Sequence, residues 1–211
     1  MEKNTLRIIE RLGHEDNVSN EVLRLLISSY PDKKVKLLAA QHSSADRETL
    51  LTALSSPERE VRIGALMNPN MTDDLRVLAF QDKSPLVRTF TVVGKAVGKD
   101  IFRKAIIDPS PEVRFAAVSK DNTPEDVLLK GLEDDTEAVR EAVARNRKAA
   151  TELVLSKAAQ DSSMEVCLFA GKNPKATDFI KKLAEKTIEE HKTLPKDNIP
   201  MHLQYESLFD S

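Results

Sequence analysis

Apolar and polar positions along this chain repeat on a long period. Val35 is followed by Val61, Val87, Val113 and Val139, each 26 residues after the last, and then by Val166 after 27. Ile9 stands another 26 residues before Val35. Arg62, Arg88, Arg114 and Arg140 each follow one of these valines, and Lys36 follows Val35. A fixed period of this length is the mark of a repeat protein, in which each supersecondary unit buries its apolar side against the next copy. From residue 9 onward the chain reads as about seven copies.

Within each copy the pattern predicts two short helices. The first opens at Ser84-Pro85, Ser110-Pro111, Thr136-Glu137 or Ser163-Met164, where a hydroxyl serves as cap and Pro suits the first helical position. Small residues follow at Ala65, Ala116, Ala117, Ala142 and Ala170 and allow close helix approach. This helix ends near Asn68-Pro69, Asn146 or Asn173-Pro174, read as left-handed C-caps with Pro barring continuation. The second helix starts at Thr72, Thr123-Pro124, Thr151 or Thr177. Its apolar residues then fall at helical spacing, as in Leu75, Leu78 and Ala79 or Leu153, Leu155 and Ala158. Helices of about ten residues are not stable alone and gain their stability from the neighbouring copy. The expected fold class is therefore all-α, an alpha solenoid of about seven two-helix repeats over residues 1–191, with an extended C-terminal tail over 192–211.

An acid repeats as well. Asp82, Asp108, Asp134 and Asp161 each precede a predicted helix start, and Arg88, Arg114 and Arg140 lie six residues after the first three. The reading is an Asp–Arg ladder along the stack, with the acids also complementing helix N-termini. A catalytic pair does not recur three times along one chain, so these residues are read as structural.

The stretch "DPSPEVRFAA" resembles a HEAT-type repeat turn, and "VRFAAVSKDNTPEDVLLKGLEDD" and "VRIGALMNPNMTDDLRVLAFQDKSP" are similar to the leucine-rich repeat variant. The resemblance extends from residue 35 to about residue 185. It implies a curved, right-handed stack of short helices. Some members of that family carry an N-terminal cysteine cluster for iron–sulfur binding. Cys167 is the single cysteine here, so that cofactor does not carry over.

Composition agrees with the pattern. Aromatics make up 4% of the 211 residues, Trp is absent and Gly numbers 6, a poor supply of β-formers and turn glycines. No helical His pair, phosphate-binding glycine loop or nucleophile elbow is present. The expectation is a chain with no enzymatic activity, no cofactor and no metal. The N-terminus has no apolar leader and no stretch approaches the roughly 18 apolar residues of a membrane span. Together with the lone cysteine, this leads to an expected cytoplasmic protein.

Charge adds one local feature. Overall, 32 Lys and Arg stand against 34 Asp and Glu, yet residues 139–186 hold ten basic and six acidic residues. Lys120, Arg145, Arg147, Lys148, Lys172 and Lys175 fall where successive first helices end, so they share one edge. Such an edge contacts nucleic-acid phosphates or an acidic protein, or is simply a solvated loop row. The tail "QYESLFDS" is loosely similar to the peptides that bind sliding clamps. Tyr205, Leu208 and Phe209 are its candidate contact residues, and the tail either caps the stack or docks on a partner. The leading functional reading is a protein-interaction adaptor or scaffold. The alternative is a nucleic-acid-binding accessory protein.

Overall fold

The computed structural model describes residues 3–14, 17–95, 97–148 and 150–193. Its elements are α1 (Lys3–His14), α2 (Asn20–Ser29), α3 (Lys33–Gln41), α4 (Arg47–Leu54), α5 (Arg59–Leu66), α6 (Asp73–Ala79), α7 (Pro85–Val93), α8 (Lys99–Ala105), α9 (Pro111–Ser119), α10 (Glu125–Gly131), α11 (Glu137–Arg145), α12 (Glu152–Ala158), α13 (Met164–Lys172) and α14 (Asp178–Thr193). Among the described residues there is no strand. The fold is an all-α helical repeat, and the odd-numbered helices are the first helices of successive copies. No described helix is long and apolar enough to cross a membrane.

The repeating valine is the reason each copy needs its neighbour. Val35, Val61, Val87, Val113, Val139 and Val166 are all fully buried. Four residues on, one helical turn later, stand Ala39, Ala65, Thr91, Ala117, Val143 and Ala170, also fully buried. Thr91 is tolerated there because its hydroxyl donates to the Val87 carbonyl at 3.0 Å. On the second helices the matching apolar positions are Leu50, Phe102, Leu128 and Leu155, each with no exposed surface. These helices have only seven or eight residues, too few to persist without that burial.

The chain forms two compact units, the first ending at Ala117 and the second beginning at Val118, so the division falls inside α9. In the first unit, α3 packs on α5 and α5 on α7, while α2 packs on α4. Leu23, Ile27, Leu50, Val61 and Leu75 form its core. In the second unit, α11 packs on α13, α10 on α12 and α12 on α14. First helix thus meets first helix, and second meets second, one copy along.

Helix C-termini differ from the expectation at two asparagines. Asn146 and Asn173 do cap α11 and α13, but with φ of -66° and -61° and ψ of 109° and 134°. Both are extended, not left-handed, because their side chains reach back to the preceding copy.

Candidate functional site

The polar residues that repeat are joined across copies. Arg62 Nε and Nη2 donate to the two Asp82 oxygens at 2.6 and 3.0 Å. Arg88 binds Asp108 through the same two atoms at 2.7 and 2.8 Å. In the second unit Arg140 Nε lies 3.0 and 3.2 Å from the Asp161 oxygens. The forked pair therefore links an Arg to the acid of the next copy, about twenty residues on. Towards the acid six residues before it, the Arg uses Nη1 and takes the backbone oxygen. Arg88 reaches Asp82 O, Arg114 reaches Asp108 O and Arg140 reaches Asp134 O, all at 2.9 Å.

The acids hold the helix starts as well. Asp82, Asp108, Asp134 and Asp161 accept from the backbone N–H two residues on, at Ser84, Ser110, Thr136 and Ser163, at 2.8–2.9 Å. Ser84 and Thr136 occupy the cap positions without a side-chain cap bond of their own. Burial pulls the Asp108 carboxyl upward, but the Arg88 hydrogen bonds and the Ser110 N–H outweigh it and hold the group below its ordinary value. In the Val35 copy Lys36 replaces Arg and pairs with Glu58 at 2.9 Å. The Ser56 hydroxyl, then Lys36, lowers that Glu to about 2.

In the last copy Cys167 stands in the Arg position. Its Sγ donates to Asp161 O at 3.2 Å, the same backbone contact that Arg Nη1 makes elsewhere. Burial pushes the thiol up to about 11, so at pH 8 only about one part in a thousand is thiolate. Iodoacetamide should modify Cys167 in the native protein at least about 100-fold more slowly than in the unfolded chain. Mass spectrometry of timed quenches checks this, and equal rates would mean the thiol is open.

A second set of cross-copy bonds runs through the asparagines. Asn68 Nδ2 donates to Ala40 O and His42 O, both at 2.9 Å. Asn146 donates to Val118 O and Lys120 O at 2.8 and 2.9 Å, and Asn173 to Ala144 O and Asn146 O at 2.8 and 3.0 Å. Each amide satisfies two carbonyls at the end of the preceding first helix, groups that a helix leaves unpaired. Each Oδ1 accepts from the N–H two residues on, at Asn70, Lys148 and Lys175. The recurrence of Asn at 68, 146 and 173 in register was the available sequence signal.

The basic edge is drawn into the second unit's own contacts. Lys148 Nζ binds Asp121 at 2.6 Å. Lys175 Nζ donates to the carbonyls of Lys148 and, at 3.2 Å, Ala150. Arg145 pairs with Glu141 and lies over the Phe169 ring, 3.6 Å from its centroid. Arg147 and Lys172 are exposed and Lys120 is half-buried. Tyr205, Leu208 and Phe209 lie outside the described residues.

A cavity of about 740 Å³ lies beside Arg140 and Asp161 in the second unit. Its charged walls include Glu133, Asp135, Glu137 and Lys157 besides that ladder pair. Among the described residues no cluster of three or more His, Cys, Asp or Glu is placed to hold a metal.

Against known proteins, no family model matches the chain and no curated protein matches it. A solved structure described as a leucine-rich repeat variant with a novel repetitive structural motif superposes with a TM-score of 0.60 at 19% identity, over 87% of this chain and 82% of that one. At that identity the likeness speaks for the fold alone. By its period, its paired short helices and this superposition, the chain has the helical-repeat fold of a leucine-rich repeat variant.

Proposed function

We propose that this protein is a non-catalytic binding module whose partner is another protein, working as an adaptor or scaffold. The observation that carries the reading is a division between repeated and varied positions. Interior valines, ladder acids and asparagines recur, while the position at the C-terminal end of each first helix changes. In the first unit that position holds Gln41, Met67 and Val93. Met67, the C-cap of α5, is 61% exposed, and Val93, the last residue of α7, 49%. Two exposed apolar side chains at one register position form a surface that an apolar protein contact fits. In the second unit the position holds Arg145 and Lys172, the first already paired and stacked. The engagement of Arg145, Lys148 and Lys175 within the unit favours the protein-binding reading over phosphate contact.

Two measurements test it together. A photo-crosslinking residue at position 93, irradiated in the source cells, should give a discrete protein adduct that Met67→Lys removes. Fluorescence anisotropy with duplex DNA should show no binding between about 50 and 200 mM salt, the range in which phosphate contacts reveal their salt slope. DNA binding that falls with salt and with Arg147→Ala and Lys172→Ala would replace this reading with the nucleic-acid one.

A further inference from the structure

One copy in the first unit breaks the repeat in two places that touch. At the second-helix core position held by Leu50, Phe102, Leu128 and Leu155, it carries Arg76 on α6. Arg76 is 3% exposed. Its Nη1 is buried and has no hydrogen-bond partner, and among the described residues no carboxylate pairs with it at ion-pair distance. Burial disfavours its charge and the field of Asp73 partly restores it. Asp73 itself accepts from the Gly98 N–H at 3.3 Å.

The second break is Gly94, at the position held by Asn68, Asn146 and Asn173 in other copies. A Cβ at Gly94 would collide with the Nη1, Cζ and Nη2 atoms of Arg76. The residue that normally stitches two copies has thus given way to space for a guanidinium. Arg76, Gly94 and the exposed Lys95 line a cavity of about 480 Å³, and Leu66, Met71 and Phe90 form much of its wall. No acid is among its lining residues. A volume of this size suits a small organic ligand.

A buried guanidinium Nη1 with no hydrogen-bond partner is costly unless something satisfies it, and the guanidinium fork matches a carboxylate. We propose that this cavity binds an apolar monocarboxylate, its carboxylate on Arg76 and its apolar body against Leu66, Met71 and Phe90. Two sources offer that chemistry: a free aliphatic acid, and the C-terminal carboxylate of a polypeptide ending in an apolar residue. Met67 and Val93, the exposed pair of the protein-binding reading, also line this cavity; the site goes beyond that reading, and Arg76→Leu tests it with both of those residues left in place.

The test is isothermal titration of the full chain with octanoate, with 1-octanol, and with a short peptide ending in leucine as free acid or as amide. Saturable binding with Kd below about 1 mM is expected for octanoate, for the free-acid peptide, or for both. Octanoate alone identifies a free acid, and the peptide alone identifies a chain end. Octanol and the amidated peptide should bind at least about 30-fold more weakly, the loss of a charge-assisted hydrogen bond. Arg76→Leu installs the residue found in other copies, so it should fold with a raised Tm and lose binding by at least that factor. Gly94→Ala, which places a methyl against the guanidinium, should weaken binding too. No binding by either carboxylate, equal binding by octanol, or binding that survives Arg76→Leu would overturn the proposal.

Discussion

Asp108→Ala is expected to destabilise the first unit by about 3–5 kcal/mol, the range for removing one partner of a buried ion pair. The Asp108 side chain is 3% exposed and that of Arg88 12%. The substitution leaves Arg88 with two N–H groups that have lost their carboxylate in a largely buried site. It also frees the Ser110 N–H at the start of α9. Replacing both partners, as Arg88→Leu with Asp108→Leu, should recover much of the loss, because no charge then stays buried without its counterpart. Urea denaturation followed by far-ultraviolet circular dichroism measures both. The pH dependence has a definite sign. The folded-state value of Asp108 lies below its ordinary 3.8, so its contribution is complete above the unfolded value and is lost as pH falls through the folded one. The gap between wild type and Asp108→Ala should therefore narrow below about pH 4. A gap that stays constant down to pH 2 would mean that the ion pair does not stabilise this unit.

Asn146→Asp is expected to be nearly as severe in the second unit, at about 2–5 kcal/mol, and worse than Asn146→Ala. The native amide donates to two carbonyls of the preceding copy. Aspartate has the same shape but no N–H, so both carbonyls lose their donor and face a carboxylate. Each buried group left unsatisfied costs about 1–3 kcal/mol, and the opposed charge adds to this. Here the acid dependence reverses. The introduced carboxyl is neutralised more easily in the folded state, so the penalty is full at pH 7 and relieved as pH falls towards the unfolded value of about 3.9. Hydrogen exchange of the α11 and α13 amides reads the loss locally, which matters because repeat arrays need not unfold in one step. If Asn146→Asp were as stable as wild type at pH 7, the amide bridge would not be holding these copies together.

What the sequence made legible follows the distance over which each interaction acts. The 26-residue step of Val-Arg pairs sufficed for the repeat, for the helix pairs and for the buried face, because periodicity directly records which side of a helix is covered. The partners of the ladder were harder to read. Asp82 and Arg88 are six apart and look like a pair, yet Arg88 forks onto Asp108, and only the backbone oxygen of Asp82 meets it. Spacing along the chain favours the local partner, whereas stacking places the next copy's acid opposite the guanidinium. Asn146 shows the same limit. Its position at a helix end was evident, but its extended conformation follows from carbonyls 26 and 28 residues earlier. The register of the basic residues was legible, but pairing with Asp121 and Glu141 and stacking on Phe169 depend on side-chain geometry. Arg76 was visible in principle: aligning copies puts an arginine in a column of Leu and Phe.

The central claim is that recurring polar residues hold copy to copy and that binding belongs to the positions that vary. Measuring Tm and photo-crosslink yield together on Met67→Lys tests it most directly. Lysine suits a helix C-terminus, and Arg145 and Lys172 already occupy the equivalent places. The expected result is a Tm within about 2 °C of wild type, the scale of a neutral surface change, together with loss of the protein adduct formed from position 93. An adduct that persists in the folded variant would contradict it.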